Sequence, residues 1–184
     1  MGHLLRTSCL AVLSIPGFLL IGCEHAGEHF RSYDVSVVLD NSLRDSNGNM
    51  RTVEVDMVGV NDADFPRWNN KSINEYWTPN DAFHISADPG VLEFSNEAGP
   101  KVLLSSDRHW DQWLTVQSAK NLMVLCFIAG YAHTDGGPGN QDPWRLVLPL
   151  DKLAWDSSMS TVNLMVTSRG MTCLTPYKDL SVQK

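Results

Sequence analysis

Hydrophobic and polar residues alternate over residues 52–60, with Val53, Val55 and Met57 on one side and Glu54 and Asp56 on the other. A period of two is the pattern of a strand with one buried face. Residues 33–39 are rich in β-branched side chains and 161–167 alternate again, so both predict strands. The uninterrupted apolar run 121–131 predicts a central strand covered on both faces. Residues 144–150 predict a strand that Pro149 confines to an edge, because proline donates nothing to a ladder. Shorter β segments are expected at 82–85, 91–94 and 101–104, separated by Asp88-Pro89-Gly90 and Ala98-Gly99-Pro100. After Val60 the period lengthens: Phe65, Trp68, Ile73, Tyr76 and Trp77 recur at roughly helical spacing until Thr78-Pro79, with Asp62 or Asp64 as the expected cap. This aromatic stripe is read as a cover over an open end of a sheet. Seven or eight short strands with one helical crossover predict a mostly β fold, an antiparallel sandwich that residues 161–167 close.

The stretch 40–50 between the first two strands is dense in Asp, Asn and Ser and contains an Asn47-Gly48 step, which marks a turn-forming loop. Asp45, Asn47 and Asn49 fall at alternate positions, as in a calcium loop. Met50 stands where the sharp-turn glycine is required, however, and no bidentate glutamate closes the loop, so turn chemistry is the better reading. Of the six histidines, His84, His109 and His133 fall on the predicted domain, and none lies at zinc-ligand spacing from another ligand type; no metal site is expected. There is no Gly-x-Ser-x-Gly elbow, and neither Cys126 nor Cys173 has a histidine nearby in sequence. The cluster from Asp107 to Asp111 reads as a solvated turn with Trp110 and Trp113 packed beneath it, since neighbouring side chains on an extended chain diverge. Residues 135–139 are glycine-rich but lack the strand-then-helix context of a phosphate cradle, so no cofactor is expected. These absences argue against an enzyme and leave recognition through loops and edges. Trp68, Trp77, Trp110 and Trp113 keep a second reading open, a binding module for carbohydrate or another small ligand.

The first two dozen residues change the picture. Arg6, the largely apolar run 9–21 and Gly22-Cys23 form a three-part secretory signal. The run is shorter than the ~20 residues a spanning helix needs, and Ser14, Pro16 and Gly17 interrupt it. Its ending, Leu20-Ile21-Gly22-Cys23, resembles the bacterial lipobox, which implies cleavage before Cys23, acylation of its thiol and anchorage in membrane lipid. Several acyl chains, at about 0.8 kcal/mol per buried methylene, hold a protein at a bilayer. The expected organisation is a signal peptide at 1–22, a lipidated cysteine and polar tether at 23–32 reaching roughly 30 Å, one domain at 33–175 and a tail at 176–184. The chain's formal charge is −7, and the signal carries one basic residue and no acidic one, so the remainder is more acidic still. Such a surface repels phosphate backbones and excludes a nucleic-acid role. Beyond Cys23 only Cys126 and Cys173 remain; an oxidising compartment favours their pairing, whereas the apolar surroundings of Cys126 favour a buried free thiol. The sequence leaves both open.

The order of these features resembles that of the outer-membrane lipoprotein of the type VI secretion apparatus, the TssJ family. The likeness rests on the lipobox cysteine, the strand 53–60, the Asp64-Phe65 helix start, the strand 124–131 and the late Trp144-Arg145 pair. It implies a transthyretin-like sandwich with a helical insertion, held in the outer membrane and facing the periplasm. There it would recruit the periplasmic domain of an inner-membrane core subunit. The family's contact loop follows the first strand and maps to Leu43, Arg44, Asp45, Ser46, Asn47, Gly48, Asn49 and Met50. Glu24, rather than Asp, after the lipidated cysteine agrees with outer-membrane sorting.

Overall fold

In the computed structural model, which describes residues 29–96, 99–131 and 133–178, the alternating pattern becomes eight strands. They are β1 (Asp34–Leu39), β2 (Val53–Val60), β3 (Gly90–Phe94), β4 (Lys101–Leu103), β5 (Asn121–Ile128), β6 (Arg145–Pro149), β7 (Thr161–Thr167) and β8 (Gly170–Cys173). Two four-stranded sheets form, in the orders β4-β1-β7-β8 and β3-β2-β5-β6. Val35, Val37 and Leu39 of β1 and Val162, Leu164 and Val166 of β7 are buried, as are Val53, Val55 and Met57 of β2 with Cys126 and Ile128 of β5. The period of two thus builds a sandwich core, and most of the sheet pairing is antiparallel. One pair departs from expectation: β1 and β7 run parallel, Asp34 opposite Thr161 through Leu39 opposite Val166. Residues 161–167 therefore do not close the sheet. They lie inside it, and β8, a strand beyond those expected, forms the edge. β6 is an edge strand, as Pro149 requires.

A third layer covers the outer face of the β2 sheet. It consists of α1 (Phe65–Asn70), α2 (Ile73–Tyr76) and α3 (Ala82–Ala87), whose Trp68, Ile73, Tyr76 and Phe83 are buried. α1 starts without a carboxylate cap from Asp64; the side chain of Asn61 accepts from the Asp64 N–H at 2.9 Å instead. Residues 82–85, expected as a strand, form α3, because Asp81 caps them by accepting from the His84 N–H at 2.9 Å. A local capping bond after Thr78-Pro79 outweighs the weak β tendency of so short a segment.

The fourth helix, α4 (Arg108–Asp111), and the π-turn Gln112–Val116 close one end of the sandwich with Trp110 and Trp113. Gly59 is required here. A Cβ at that position would lie 2.4 Å from Trp113, so only glycine lets the indole press onto β2. Among the described residues no helix is long and apolar enough to cross a membrane.

The folded unit begins earlier than expected. The Lys152 N–H donates to the His29 carbonyl at 2.9 Å, Phe30 bridges to Asp151, and the Arg31 guanidinium donates to the Met159 carbonyl at 2.9 Å. Residues 29–32 of the expected tether are therefore docked. At the other end, Lys178 donates from its backbone to Ala154 at 2.8 Å, so 176–178 are tied down too. The signal segment, Cys23 and residues 179–184 lie outside the described residues.

Candidate functional site

The loop after β1 is a small rigid hairpin with its ends in the core. Asp40 caps a 3-10 turn, Asn41–Leu43, by accepting from the Ser42 N–H at 2.8 Å. Arg44 then bridges to Met50, and the Asp45 carboxylate accepts from the N–H groups of Asn47 and Asn49 at 2.8 and 2.9 Å. Gly48 turns the chain at φ +83°, a conformation that side chains disfavour. The Arg44 guanidinium closes the turn by donating to the Gly48 carbonyl at 2.7 Å and to Asn41 Oδ1 at 3.2 Å. Asp45 thus serves the backbone, and the alternate Asp/Asn spacing is turn chemistry. The Asp45 carboxyl sits below its ordinary range, chiefly through the Asn49 N–H. Of the eight loop residues, Leu43 and Met50 are buried and act as anchors; Arg44, Ser46, Asn47, Gly48 and Asn49 are exposed. The tip and the arginine are thus the part of the loop open to solvent, and the two apolar ends are not.

The tryptophans are placed against the small-ligand reading. Trp68, Trp110 and Trp113 are 9%, 2% and 1% exposed, and Trp77 alone of the four is half-buried. The Asp107 cluster is a helix start: its carboxylate accepts from the His109 N–H at 3.0 Å and lies 2.6 Å from His109 Nδ1. The His133 ring accepts from the Ile128 N–H at 3.3 Å, and burial lowers its pKa.

Cys126 and Cys173 are both free, so the disulfide that the sequence left open is not formed. Cys126 lies on β5 and Cys173 on β8, in opposite sheets. Sheets pack about 10 Å apart, and a disulfide needs Cα atoms within about 7 Å. Burial pushes the Cys126 thiol far up, and the Cys173 sulfur is satisfied by the Thr175 carbonyl at 3.2 Å.

The glycine-rich stretch 133–143 is structural. Asp135 accepts from the Ser72 hydroxyl at 2.6 Å and from the Ile73 and Asn74 N–H groups at 3.0 and 3.3 Å, capping α2 from across the chain. Buried Arg145 donates to the carbonyls of Asn69 and Lys71, fastening the α1–α2 junction to β6. Buried Asp142 holds the loop's return by accepting from the Gly136 and Trp144 N–H groups at 3.1 and 2.9 Å.

One cluster was missed by sequence spacing. Asp56 is fully buried on the outer face of β2; Tyr76 donates to its Oδ2 at 2.7 Å, and His84 Nε2 lies 3.0 Å from the same oxygen. Glu54, two residues back on the same face, completes a group whose ligand atoms all lie within 4.8 Å of one another. Burial raises the Asp56 carboxyl above its ordinary value, opposed by Tyr76 and His84; burial also raises Glu54, reinforced by the Asp56 and Glu93 charges. The expectation of no metal site rested on spacing along the chain; these three residues converge only in the fold. The sequence signal was two carboxylates, Glu54 and Asp56, on one face of a strand whose other residues are apolar.

No protein-family model matches the chain, and no curated protein matches it. Solved structures do. A chain of the structure named "Type VI membrane complex" superposes with a TM-score of 0.52 at 13% identity, over 79% of this chain and 98% of that one. A chain of "T6SS protein TssM C-terminal domain (869-1107) from EAEC" superposes with a TM-score of 0.51 at 15% identity, over 78% of this chain and 100% of that one. The fold is shared with chains of type VI secretion structures. The Lip protein of Serratia marcescens, a membrane-bound component of that system, superposes at 0.49 and 12% identity, over 81% of this chain and 99% of that one. The β-sandwich expected from the order of strands is matched, at the level of fold, by the first two of these chains.

Proposed function

We propose that this chain is a structural lipoprotein of a type VI secretion apparatus, acylated at Cys23 and held at the outer membrane, facing the periplasm. Its task is to tether the periplasmic domain of an inner-membrane core subunit through the exposed tip of loop 43–50. The observation that carries this reading is the superposition on chains of type VI secretion structures over nearly the whole of those chains. The braced loop supports it as well, because a preordered hairpin loses little conformational freedom on binding.

Co-purification with the periplasmic domain of the core subunit tests the assignment. Replacing residues 46–49 with a Gly/Ser stretch, while keeping Leu43 and Met50, is expected to weaken that binding at least tenfold with the melting temperature nearly unchanged. Binding equal to that of the parent chain overturns the loop assignment. Radiolabelled palmitate is expected to enter the parent protein and not Cys23→Ser.

A further inference from the structure

Asp56 carries a polar atom that the fold leaves unanswered. Its Oδ2 has two partners, Tyr76 and His84, whereas its Oδ1 is buried and has none. A carboxylate sealed from water with one oxygen unpaired is costly, because neither solvent nor a hydrogen bond offsets its desolvation. The surroundings add negative charge instead of relieving it. Glu54 lies one pleat away on the same strand, and Glu93 stands directly opposite Glu54 on β3. The neighbouring base is the imidazole of His84, held in place by stacking on Tyr76 at 4.5 Å and by Trp77 edge-on at 5.2 Å. Two carboxylates and one imidazole nitrogen therefore converge, with the imidazole oriented by buried Tyr76 and half-buried Trp77.

We propose that Glu54, Asp56 and His84 bind one divalent transition-metal ion of the zinc class on the outer face of the β2 sheet. The donor set is right for such an ion: an imidazole selects against magnesium and calcium, and carboxylates complete a site without thiolates. Ligand bonds of about 2.0–2.2 Å in tetrahedral geometry place donor atoms about 3.4 Å apart. His84 Nε2 and Asp56 Oδ2 are already 3.0 Å apart, so rotation of the flexible, half-buried Glu54 side chain completes the triad within the 4.8 Å spread. A surface cavity of about 370 Å³, lined by Glu54, His84, Trp77 and Phe127, leaves a fourth position for water. Tyr76 then plays the outer-shell part, its hydroxyl fixing the Asp56 carboxylate. The ion bridges β2 to α3 and so staples the helical layer to the sheet.

The full chain, purified in detergent and stripped with chelator, provides the test. After reloading with Zn²⁺ it is expected to retain one equivalent through gel filtration, measured by elemental analysis, with a melting temperature several degrees above the stripped form. His84→Ala and Glu54→Gln are each expected to weaken Zn²⁺ binding at least tenfold by calorimetry. Both sites are half-buried rather than sealed, and Glu54→Gln preserves shape, so it decides the matter if His84→Ala fails to fold. No retained Zn²⁺, or parent-like affinity in either variant that keeps its circular dichroism spectrum, overturns the proposal. Affinity that survives both substitutions assigns the metal to histidines elsewhere, and that outcome also overturns it.

Discussion

Single polar side chains decide how the outer layer sits on the sheet. Asp135 is the clearest, since one carboxylate satisfies a hydroxyl and two N–H groups at the start of α2. Its carboxyl lies below the ordinary range, chiefly because the Ser72 hydroxyl donates to the charged form. A lowered pKa means that the folded state holds its proton less tightly than the unfolded chain does. The stabilisation is therefore complete above the unfolded value and is lost as pH falls through the folded one. Asp135→Ala is expected to cost about 1–2 kcal/mol at neutral pH, as for the loss of a helix cap, and to flatten the decline in stability below about pH 4. Urea titrations at neutral pH and at pH 3 check both parts. Asp56 has the opposite sign, for its raised carboxyl favours the folded state at low pH and loses that advantage as pH rises.

At the scale of elements, the helical insertion depends on β6. Arg145 donates to the carbonyls of Asn69 and Lys71, which terminate α1 and precede α2. Removing a buried guanidinium leaves those acceptors unsatisfied, each at about 1–3 kcal/mol. Arg145→Leu is expected to destabilise the protein by about 3 kcal/mol and to speed amide exchange across residues 69–76 ahead of β2 and β5. Uniform acceleration throughout the sandwich would show that the insertion does not open separately. This role explains why Trp144-Arg145 opens a strand: the tryptophan fills the core while the arginine reaches outward to hold another layer. In the sequence the pair was legible only as part of an order of features, since nothing local says which carbonyls an arginine will meet.

For the whole molecule, the sandwich keeps its two thiols apart. Cys126 is sealed in the middle of β5, and Cys173 is half-buried on an edge strand. Treating the native protein with a maleimide is expected to modify Cys173 slowly and Cys126 only in denaturant, with mass spectrometry locating the label. Oxidised and reduced samples should show the same melting temperature. A disulfide-linked peptide from the native protein would contradict the placement of these strands in opposite sheets.

Local rules were sufficient for β1, β2, β5 and the edge position of β6, because a period of two, a continuous apolar run and a proline each act within a few residues. They also sufficed for the turn chemistry of loop 40–50, where Asp45 and Gly48 satisfy their own neighbourhood. The proposed lipobox, Leu20-Ile21-Gly22-Cys23, is likewise a linear pattern whose reading needs no fold. Tertiary structure alone decided the parallel pairing of β1 with β7, the separation of the cysteines and the helix at 82–87. Each depends on which distant surface a side chain meets, and that is set by how the two sheets and the helical layer close over one another. The meeting of Glu54, Asp56 and His84 belongs to the same class: 28 positions separate Asp56 from His84, and only packing brings the imidazole to the buried carboxylate.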